Sequence, residues 1–188
     1  MHDDPLIHKT MLQEFDPELF TACGRALYLA QHFERNFKGI VAALDLRTVS
    51  PSDEETLNTV CEKNFKRPLG SSLSNALPKH VPDILKGDFD THMLPQLDSA
   101  REARNRIAHE FLCGIEGLDI CSTEFDEFIE LFRRDVQLLA DADYSVCCMI
   151  QGFNREPAPT CRNLYIKDIV KWVFEPIDGL LQDGQQEK

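Results

Sequence analysis

The chain is predicted to be all-α, because apolar residues recur at helical spacing and no segment alternates convincingly as a β-strand does. Each helical stretch is bounded by a capping residue, a proline or a glycine. No internal repeat or low-complexity segment is found, and 188 residues suffice to bury a core. We therefore expect a helical bundle of four to six helices, formed by a single domain over residues 1–188.

The first helix is predicted to begin after Asp16-Pro17, an N-cap residue followed by a proline that suits the first turn. Apolar residues then recur every three or four positions. They are Leu19, Phe20, Cys23, Leu27, Ala30, Phe33, Phe37, Ile40, Val41 and Leu44. This stripe predicts one long helix that packs along one side.

Two shorter helices are predicted next. Residues 50–54, Ser-Pro-Ser-Asp-Glu, predict a helix start, since an acidic first turn complements the helix dipole. Its apolar residues are Leu57, Val60, Cys61 and Phe65. The stretch PLGSSLSNALP then predicts a short helix with Leu69, Leu73 and Leu77 on one face. Residues 78–94 contain breakers and predict irregular structure.

Three further elements complete the predicted bundle. A long helix is expected from Pro95 to about Leu112, with Pro95 either in its first turn or at a kink of a helix begun earlier. Ser122 is expected to cap a fourth long helix, which the loop NREPAPT ends. A last helix should cover about residues 161–182, where Pro176 could bend it.

The charge of the chain argues against some classes of function. Acidic residues outnumber basic ones 32 to 20, which gives a formal net charge of −12. A protein that coats DNA or binds an anionic membrane needs a broad positive field, so neither class is expected. A local basic cleft and a basic protein partner both remain compatible with this composition.

The N-terminal residues and the cysteines predict where the protein resides. The N-terminus lacks the basic start and apolar stretch of a signal peptide, and no apolar run reaches the roughly 18 residues of a membrane span. The seven cysteines contain no C-x-x-C pair, which predicts free thiols rather than structural zinc. We expect a cytoplasmic protein with no membrane association, metal or cofactor.

The stretch REARNRIAHEF, residues 101–111, places three arginines within six positions of an acidic chain. On a helical wheel, Arg104 lies near the middle of the apolar face, between the small residues Ala100 and Ala108. A guanidinium in that position is costly unless an anion meets it. Two interpretations remain open: an internal ion pair, for instance with Glu34, or a cleft or dimer interface where Arg104 binds phosphate.

The neighbours of Arg104 add to this pattern. Arg106 is predicted to point the opposite way, to solvent. Asn105 and His109 are four residues apart on one flank of the helix, where the amide could orient the imidazole. His109 lies about 140° from Arg104 on the wheel, a gap that the long arginine side chain can partly close.

The hexapeptide Arg104-Asn105-Arg106-Ile107-Ala108-His109 resembles the R-x(4-6)-H motif of HEPN domains (higher eukaryotes and prokaryotes nucleotide-binding). These are small all-α bundles with the motif near the end of a late helix, and the predicted order of helices is similar over about residues 15–155. The resemblance implies a homodimeric, metal-independent endoribonuclease with one composite site. Such an enzyme could be a toxin or defence effector, with an antitoxin or regulatory protein as a further partner.

The resemblance also implies roles for individual residues. His109 would act as general acid or base while an RNA 2′-hydroxyl attacks its own phosphate, and Arg104 would hold that phosphate. Asn105 would orient His109 or the phosphate, and Arg101 would add positive potential. One HEPN subgroup has a tyrosine two residues after the histidine, and a nucleotidyltransferase antitoxin modifies that tyrosine. This chain has Phe111 at the same position. The alternatives are a non-catalytic HEPN module that binds nucleotide or protein, and a helical regulatory or adaptor protein that recruits a basic partner.

Overall fold

A computed structural model describes residues 17–47, 54–72, 93–111, 122–157, 159 and 161–186. Six helices occur within these ranges, and no strand does. They are α1 (Pro17–Leu46), α2 (Glu54–Lys66), α3 (Leu69–Ser71), α4 (Met93–His109), α5 (Thr123–Asn154) and α6 (Arg162–Gln186). The predicted all-α bundle is confirmed.

The four long helices pack around one apolar core. α1 contacts α2, α4, α5 and α6, while α4 and α6 both pack on α5 as well. Phe33, Phe37, Phe132 and Phe174 are among its largest fully buried side chains. Burial of one such side chain stabilises the fold by about 2 kcal/mol relative to exposure. The helix that carries the motif is therefore held against two central helices.

The sequence signals for helix starts agree with the structure where it is described. α1 begins at Pro17, and Pro95 lies in the first turn of α4, which confirms the first-turn alternative. The Ser122 hydroxyl oxygen accepts a hydrogen bond from the Phe125 N–H at 3.1 Å. Ser122 is thus the N-cap of α5, as predicted, and satisfies one of the unpaired N–H groups at the helix start.

A left-handed residue terminates α5, whereas α6 runs past its expected end. α5 ends at Arg155, whose φ of 58° lies in the left-handed region. The Glu156 N–H donates to the Gln151 carbonyl oxygen at 2.8 Å, which satisfies an acceptor of the last turn. α6 continues through Pro176 and extends beyond the predicted end at residue 182.

Several predictions lie outside the described residues. These are the helix start at residues 50–53, the later part of the short helix after residue 72 and most of the irregular stretch 78–94. Of the short helix, the structure describes α3, where Leu69 is buried. Residues 93 and 94, which were predicted to be irregular, belong to α4.

Apart from the Arg104–His109 motif, a polar cluster joins α1, α5 and α6. Asp143 is 1% exposed, and its Oδ2 accepts a hydrogen bond of 2.7 Å from the Tyr165 hydroxyl. Burial and this hydrogen bond raise the pKa of Tyr165. The other carboxylate oxygen, Oδ1, lies 3.5 Å from His32 Nδ1, and Asn36 Nδ2 lies 3.1 Å from the same nitrogen. The buried carboxylate therefore has polar neighbours on both adjacent helices.

Candidate functional site: the Arg104–His109 motif

α4 buries one side against its neighbours and leaves the other side open. Leu97, Ala100, Ala103 and Ile107 are buried. His109, the last residue of the helix, is exposed. The small side chains at two of the buried positions let α4 approach the bundle closely. The motif therefore begins inside the bundle and ends at its surface.

Arg104 forms an ion pair with Glu34 of α1. Its Nη2 pairs with Glu34 Oε2, and the two side chains are 22% and 18% exposed. Lys38 Nζ lies 2.7 Å from the other carboxylate oxygen, Oε1. The Glu34 carboxylate is thus held between two cations. The internal ion pair, one of the two interpretations of Arg104, is confirmed.

Opposing effects set the charge of Glu34. Burial is the largest single effect and raises the pKa of Glu34, but Lys38 and Arg104 together lower that pKa by more. The pKa of Glu34 therefore lies below its usual value, and the carboxylate is ionised at neutral pH. Lys38 Nζ also donates to the Phe65 carbonyl oxygen at 3.3 Å, near the end of α2. The ion pair is therefore tied to a third helix.

The other nitrogens of Arg104 lie nearer the motif residues. Nη1 donates to Asn105 Oδ1 at 3.2 Å and lies 3.5 Å from His109 Nε2. Nε is buried and has no hydrogen-bond partner in the described part of the chain. The guanidinium thus joins a half-buried carboxylate of α1 to an exposed imidazole at the end of α4. The gap between Arg104 and His109 on the wheel is closed by the length of the arginine.

Three of the four predicted site residues are brought together by these contacts. Asn105 contacts Arg104, and no hydrogen bond between Asn105 and the His109 ring occurs among the described residues. Asn105 therefore steadies the arginine rather than the imidazole. Nη1 and Nη2 of Arg104 have different polar neighbours, so the position of its guanidinium is well determined.

Arg101, the fourth predicted residue, lies against α3. A Cβ placed on Gly70 would lie 3.6 Å from Arg101 Cδ. Arg101 Nε donates to Asp98 Oδ1 at 2.8 Å, and its Nη2 lies 3.5 Å from Glu102 Oε1. Two carboxylates of its own helix therefore neutralise this arginine in the free chain.

The predicted orientation of Arg106 is wrong. Its Nε and Nη2 donate to Asp135 Oδ2 and Oδ1, each at 2.7 Å. Asp135 lies on α5 and is 0% exposed. This hydrogen-bonded pair is the main reason that the pKa of Arg106 is raised. The wheel describes only the direction in which a side chain leaves the helix, and the long arginine reaches sideways to a carboxylate that needs a counter-charge.

Phe111 belongs to the core. It is 4% exposed, and its ring centroid lies 5.2 Å from that of Phe128 and 4.8 Å from that of Phe132. Aromatic pairs of this kind stabilise the fold beyond what the burial of their apolar area contributes. The position that carries a tyrosine in one HEPN subgroup is therefore a packing position in this chain.

The sequence reasoning missed Lys38 and Asp135, although each left a signal. Glu34 and Lys38 are four residues apart, a spacing that places them on one face of a helix. Asp135 directly precedes Val136 within the apolar stripe of α5, where an acid requires a cation. These two signals could have predicted which carboxylates and cations pair at the motif.

The described residues contain neither a metal site nor a membrane span. Within the part of the chain that the structure describes, no group of three or more His, Cys, Asp or Glu side chains is placed to hold a metal ion. None of the helices, over the same residues, is both long enough and apolar enough to cross a membrane. The five described cysteines are free thiols.

Comparisons with known proteins assign the chain to no family. No protein-family model matches the chain, and no characterised protein or solved structure is significantly similar to it. The site is therefore interpreted from its own geometry, an arginine that connects a half-buried carboxylate to an exposed histidine.

Proposed function

We propose that the chain is a metal-independent endoribonuclease with a composite active site at a homodimer interface, as in the HEPN domains that it resembles. The observation that carries this proposal is the 3.5 Å approach of Arg104 Nη1 to His109 Nε2. It joins a cation suited to phosphate to an exposed imidazole, a group that serves as general acid or base in many enzymes. Asn105 contacts Arg104 and supports the phosphate-binding end, whereas Arg101 of the same helix would first have to leave Asp98 and Glu102.

The proposed reaction divides its steps between two copies of the motif. His109 of one copy removes the proton from the RNA 2′-hydroxyl, and that oxygen attacks the adjacent phosphorus. The bond from phosphorus to the 5′-oxygen breaks, and the protonated imidazole of the second copy donates its proton to this leaving oxygen. Arg104 neutralises the charge that builds on the phosphate. The products are a 2′,3′-cyclic phosphate and a 5′-hydroxyl.

The ion pair with Glu34 supports this role for Arg104. A guanidinium carries five N–H donors, which is more than one carboxylate can engage. Glu34 engages Nη2, while Nη1 lies nearer His109. A cation that is already oriented needs little rearrangement when charge develops on a substrate. Glu34 would thus position the arginine rather than compete for it.

The same ion pair also favours a second candidate function, a non-catalytic HEPN-like module that binds a nucleotide or a protein. In that case Arg104 joins α4 to α1, and His109 is an ordinary surface residue. A role as toxin or defence effector, with an antitoxin or regulatory partner, belongs to the first candidate. The two candidates differ in what His109 does.

An RNA cleavage assay separates the two candidates. His109→Ala should reduce the cleavage rate of single-stranded RNA by roughly 10² to 10⁴, the usual contribution of general acid–base catalysis. EDTA should leave the rate nearly unchanged, because no step uses a metal ion. Since His109 is exposed, circular dichroism should show an unchanged fold.

Glu110→Gln is the matched control, because Glu110 is the exposed neighbour of His109. This variant should retain most of the parent rate. If His109→Ala cleaves as fast as the parent, or if no cleavage is found at all, the binding module replaces the nuclease.

A further inference from the structure

An exposed aromatic pair lies on α1 and α6, away from the motif. Tyr28 is 61% exposed and Trp172 is 40% exposed. Their ring centroids are 6.2 Å apart and their planes meet at 76°, so the two rings form the walls of a corner. We call these two rings, with Arg25 and His32 beside them, the aromatic corner.

The neighbouring polar groups hold the corner in place. The His32 ring stacks on Tyr28, with centroids 6.1 Å apart and planes at 25°. The Arg25 guanidinium lies 5.4 Å from the centre of the Trp172 ring and donates to the Trp172 carbonyl oxygen. Arg25 Nη1 also lies 3.4 Å from Glu175 Oε2. Because the rings are ordered in advance, a ligand loses little entropy in fixing them.

The charge at the corner favours one kind of ligand. Arg25 already lies at the Trp172 ring, so an ammonium or other cationic ligand would be repelled. A flat neutral ring can stack on the outer face of Tyr28 and place its edge against Trp172. A nucleobase has this shape. Because Arg25 is already paired with Glu175, the phosphate attached to the base would need a cation from the surroundings of the corner.

The charges around the aromatic corner are compatible with the phosphate backbone of a nucleic acid. α1 carries three acidic and three basic residues, and so do residues 162–178 of α6, whereas α5 carries seven acidic and two basic residues. Arg35 and Lys171 lie on α1 and α6, are exposed, and form no ion pair with any described residue. A phosphate backbone can therefore reach the corner without crossing the acidic helix.

We propose that the aromatic corner binds an unpaired base of single-stranded RNA. This inference rests on the proposed function and names single-stranded RNA as the substrate class. Tyr28 and Glu34 are six residues apart, about 9 Å along the axis of α1. The two residues also differ by about 120° around the helix, so a strand bound at Arg104 would follow the surface around α1 to reach the corner.

Trp172 is the only tryptophan of the chain, so its fluorescence reports on the corner alone. A single-stranded 2′-O-methyl oligonucleotide of on the order of ten nucleotides has no 2′-hydroxyl to attack, and can be titrated into the unmodified protein. Binding should quench the Trp172 emission. A duplex of the same sequence should not quench it, because its bases are stacked on one another.

Variants of the corner test the stacking itself. Tyr28→Ala should raise the Kd of the oligonucleotide roughly five- to hundredfold, the usual effect of losing one base–aromatic stack, and Tyr28→Phe should retain the affinity. Phe153→Ala is the control, because Phe153 is 44% exposed near the end of α5, outside the corner. It should leave the Kd unchanged.

Three results would overturn the aromatic corner as a base-binding site. They are unchanged Trp172 emission at saturating oligonucleotide, an unchanged Kd for Tyr28→Ala, and quenching by a proline-rich peptide but not by the oligonucleotide. Cleavage that depends on His109 without quenching would remove the corner and keep the nuclease. Quenching that depends on Tyr28 without any cleavage would keep the corner and remove the nuclease.

Discussion

Arg104 contributes the shape of its side chain as well as its charge. Nη2 pairs with Glu34, while Nη1 contacts Asn105 and lies beside His109. A lysine provides one compact charge and cannot make these contacts from separate nitrogens. At this position an arginine-to-lysine change therefore removes much of the site while it preserves the net charge.

Arg104→Ala should lower the RNA cleavage rate by roughly 10² to 10³, the usual loss when a group that stabilises transition-state charge is removed. Arg104→Lys should restore little of this rate. Initial rates of folded variants, checked by circular dichroism, measure both effects. Arg134→Ala replaces an exposed arginine of α5 and should keep the parent rate. If Arg104→Ala unfolds the chain while His109→Ala is silent, the arginine is a structural ion-pair partner.

Glu34 should make the stability of the fold depend on pH. Because its pKa is lowered in the folded chain, ionised Glu34 stabilises the fold above the ordinary carboxyl pKa. That contribution is lost as the pH falls through the lowered pKa. Glu34→Gln should therefore reduce the free energy of unfolding by about 1–2 kcal/mol at neutral pH. The difference between parent and variant should shrink below about pH 4.

Urea unfolding at several pH values tests the role of Glu34. Glu62→Gln is the control, because Glu62 also pairs with a lysine four residues later, Lys66, but on an exposed surface of α2. It should change the stability little at any pH. If Glu34→Gln lowered the free energy of unfolding equally at acidic and neutral pH, ionised Glu34 would not be the stabilising form.

At the scale of the element, α4 is anchored to two different helices. Arg104 connects it to Glu34 on α1, and Arg106 connects it to Asp135 on α5. Gln96 adds a hydrogen bond of 2.7 Å to Asp141 near the start of the helix. Anchors on two sides fix the rotation of α4 about its own axis. That rotation decides which way His109 faces.

Arg106→Ala should destabilise the fold by about 3 kcal/mol, because it leaves the buried Asp135 carboxylate without its counter-charge. Combining Arg106→Met with Asp135→Leu should recover most of that loss, since an apolar pair needs no desolvated charges. Thermal or urea unfolding measures both variants, with Arg134→Ala as the exposed control. A parent-like stability for Arg106→Ala would show that the ion pair does not hold α4.

At the scale of the whole molecule, the negative charge is distributed unevenly. α5 carries seven acidic and two basic residues, whereas α4 carries three arginines and two carboxylates. The acidic excess therefore lies more on α5 than on α4, where all three arginines are paired with carboxylates. The acidic surface of α5 fits the basic partner of the adaptor alternative.

The proposed composite site requires two copies of the chain. Light scattering should give the mass of two 21.5 kDa chains. Glu102 is exposed and lies about two turns before His109 on the same face of α4. Glu102→Trp should therefore produce monomers and abolish cleavage without loss of helix content. Glu62→Trp, on α2, is the control, and a monomeric parent that cleaves RNA would contradict the composite site.

The sequence by itself determined the features of this protein that depend on neighbours along the chain. The helical stripes and the helix starts at Pro17 and Ser122 follow from local backbone preferences and apolar spacing, whereas the sequence is compatible with Pro95 either in a first turn or at a kink. The same spacing also suggested Glu34 as a partner for Arg104, because both lie on packed faces of long helices.

The tertiary structure alone decided which charged groups meet. A helical wheel gives the direction of a Cβ atom, but the end of a long side chain reaches whichever counter-charge an adjacent helix offers. Arg106 was therefore expected in solvent and lies on Asp135 instead, and Lys38 shares Glu34 with Arg104. These pairings depend on how α1, α4 and α5 pack, which spacing along one helix does not specify.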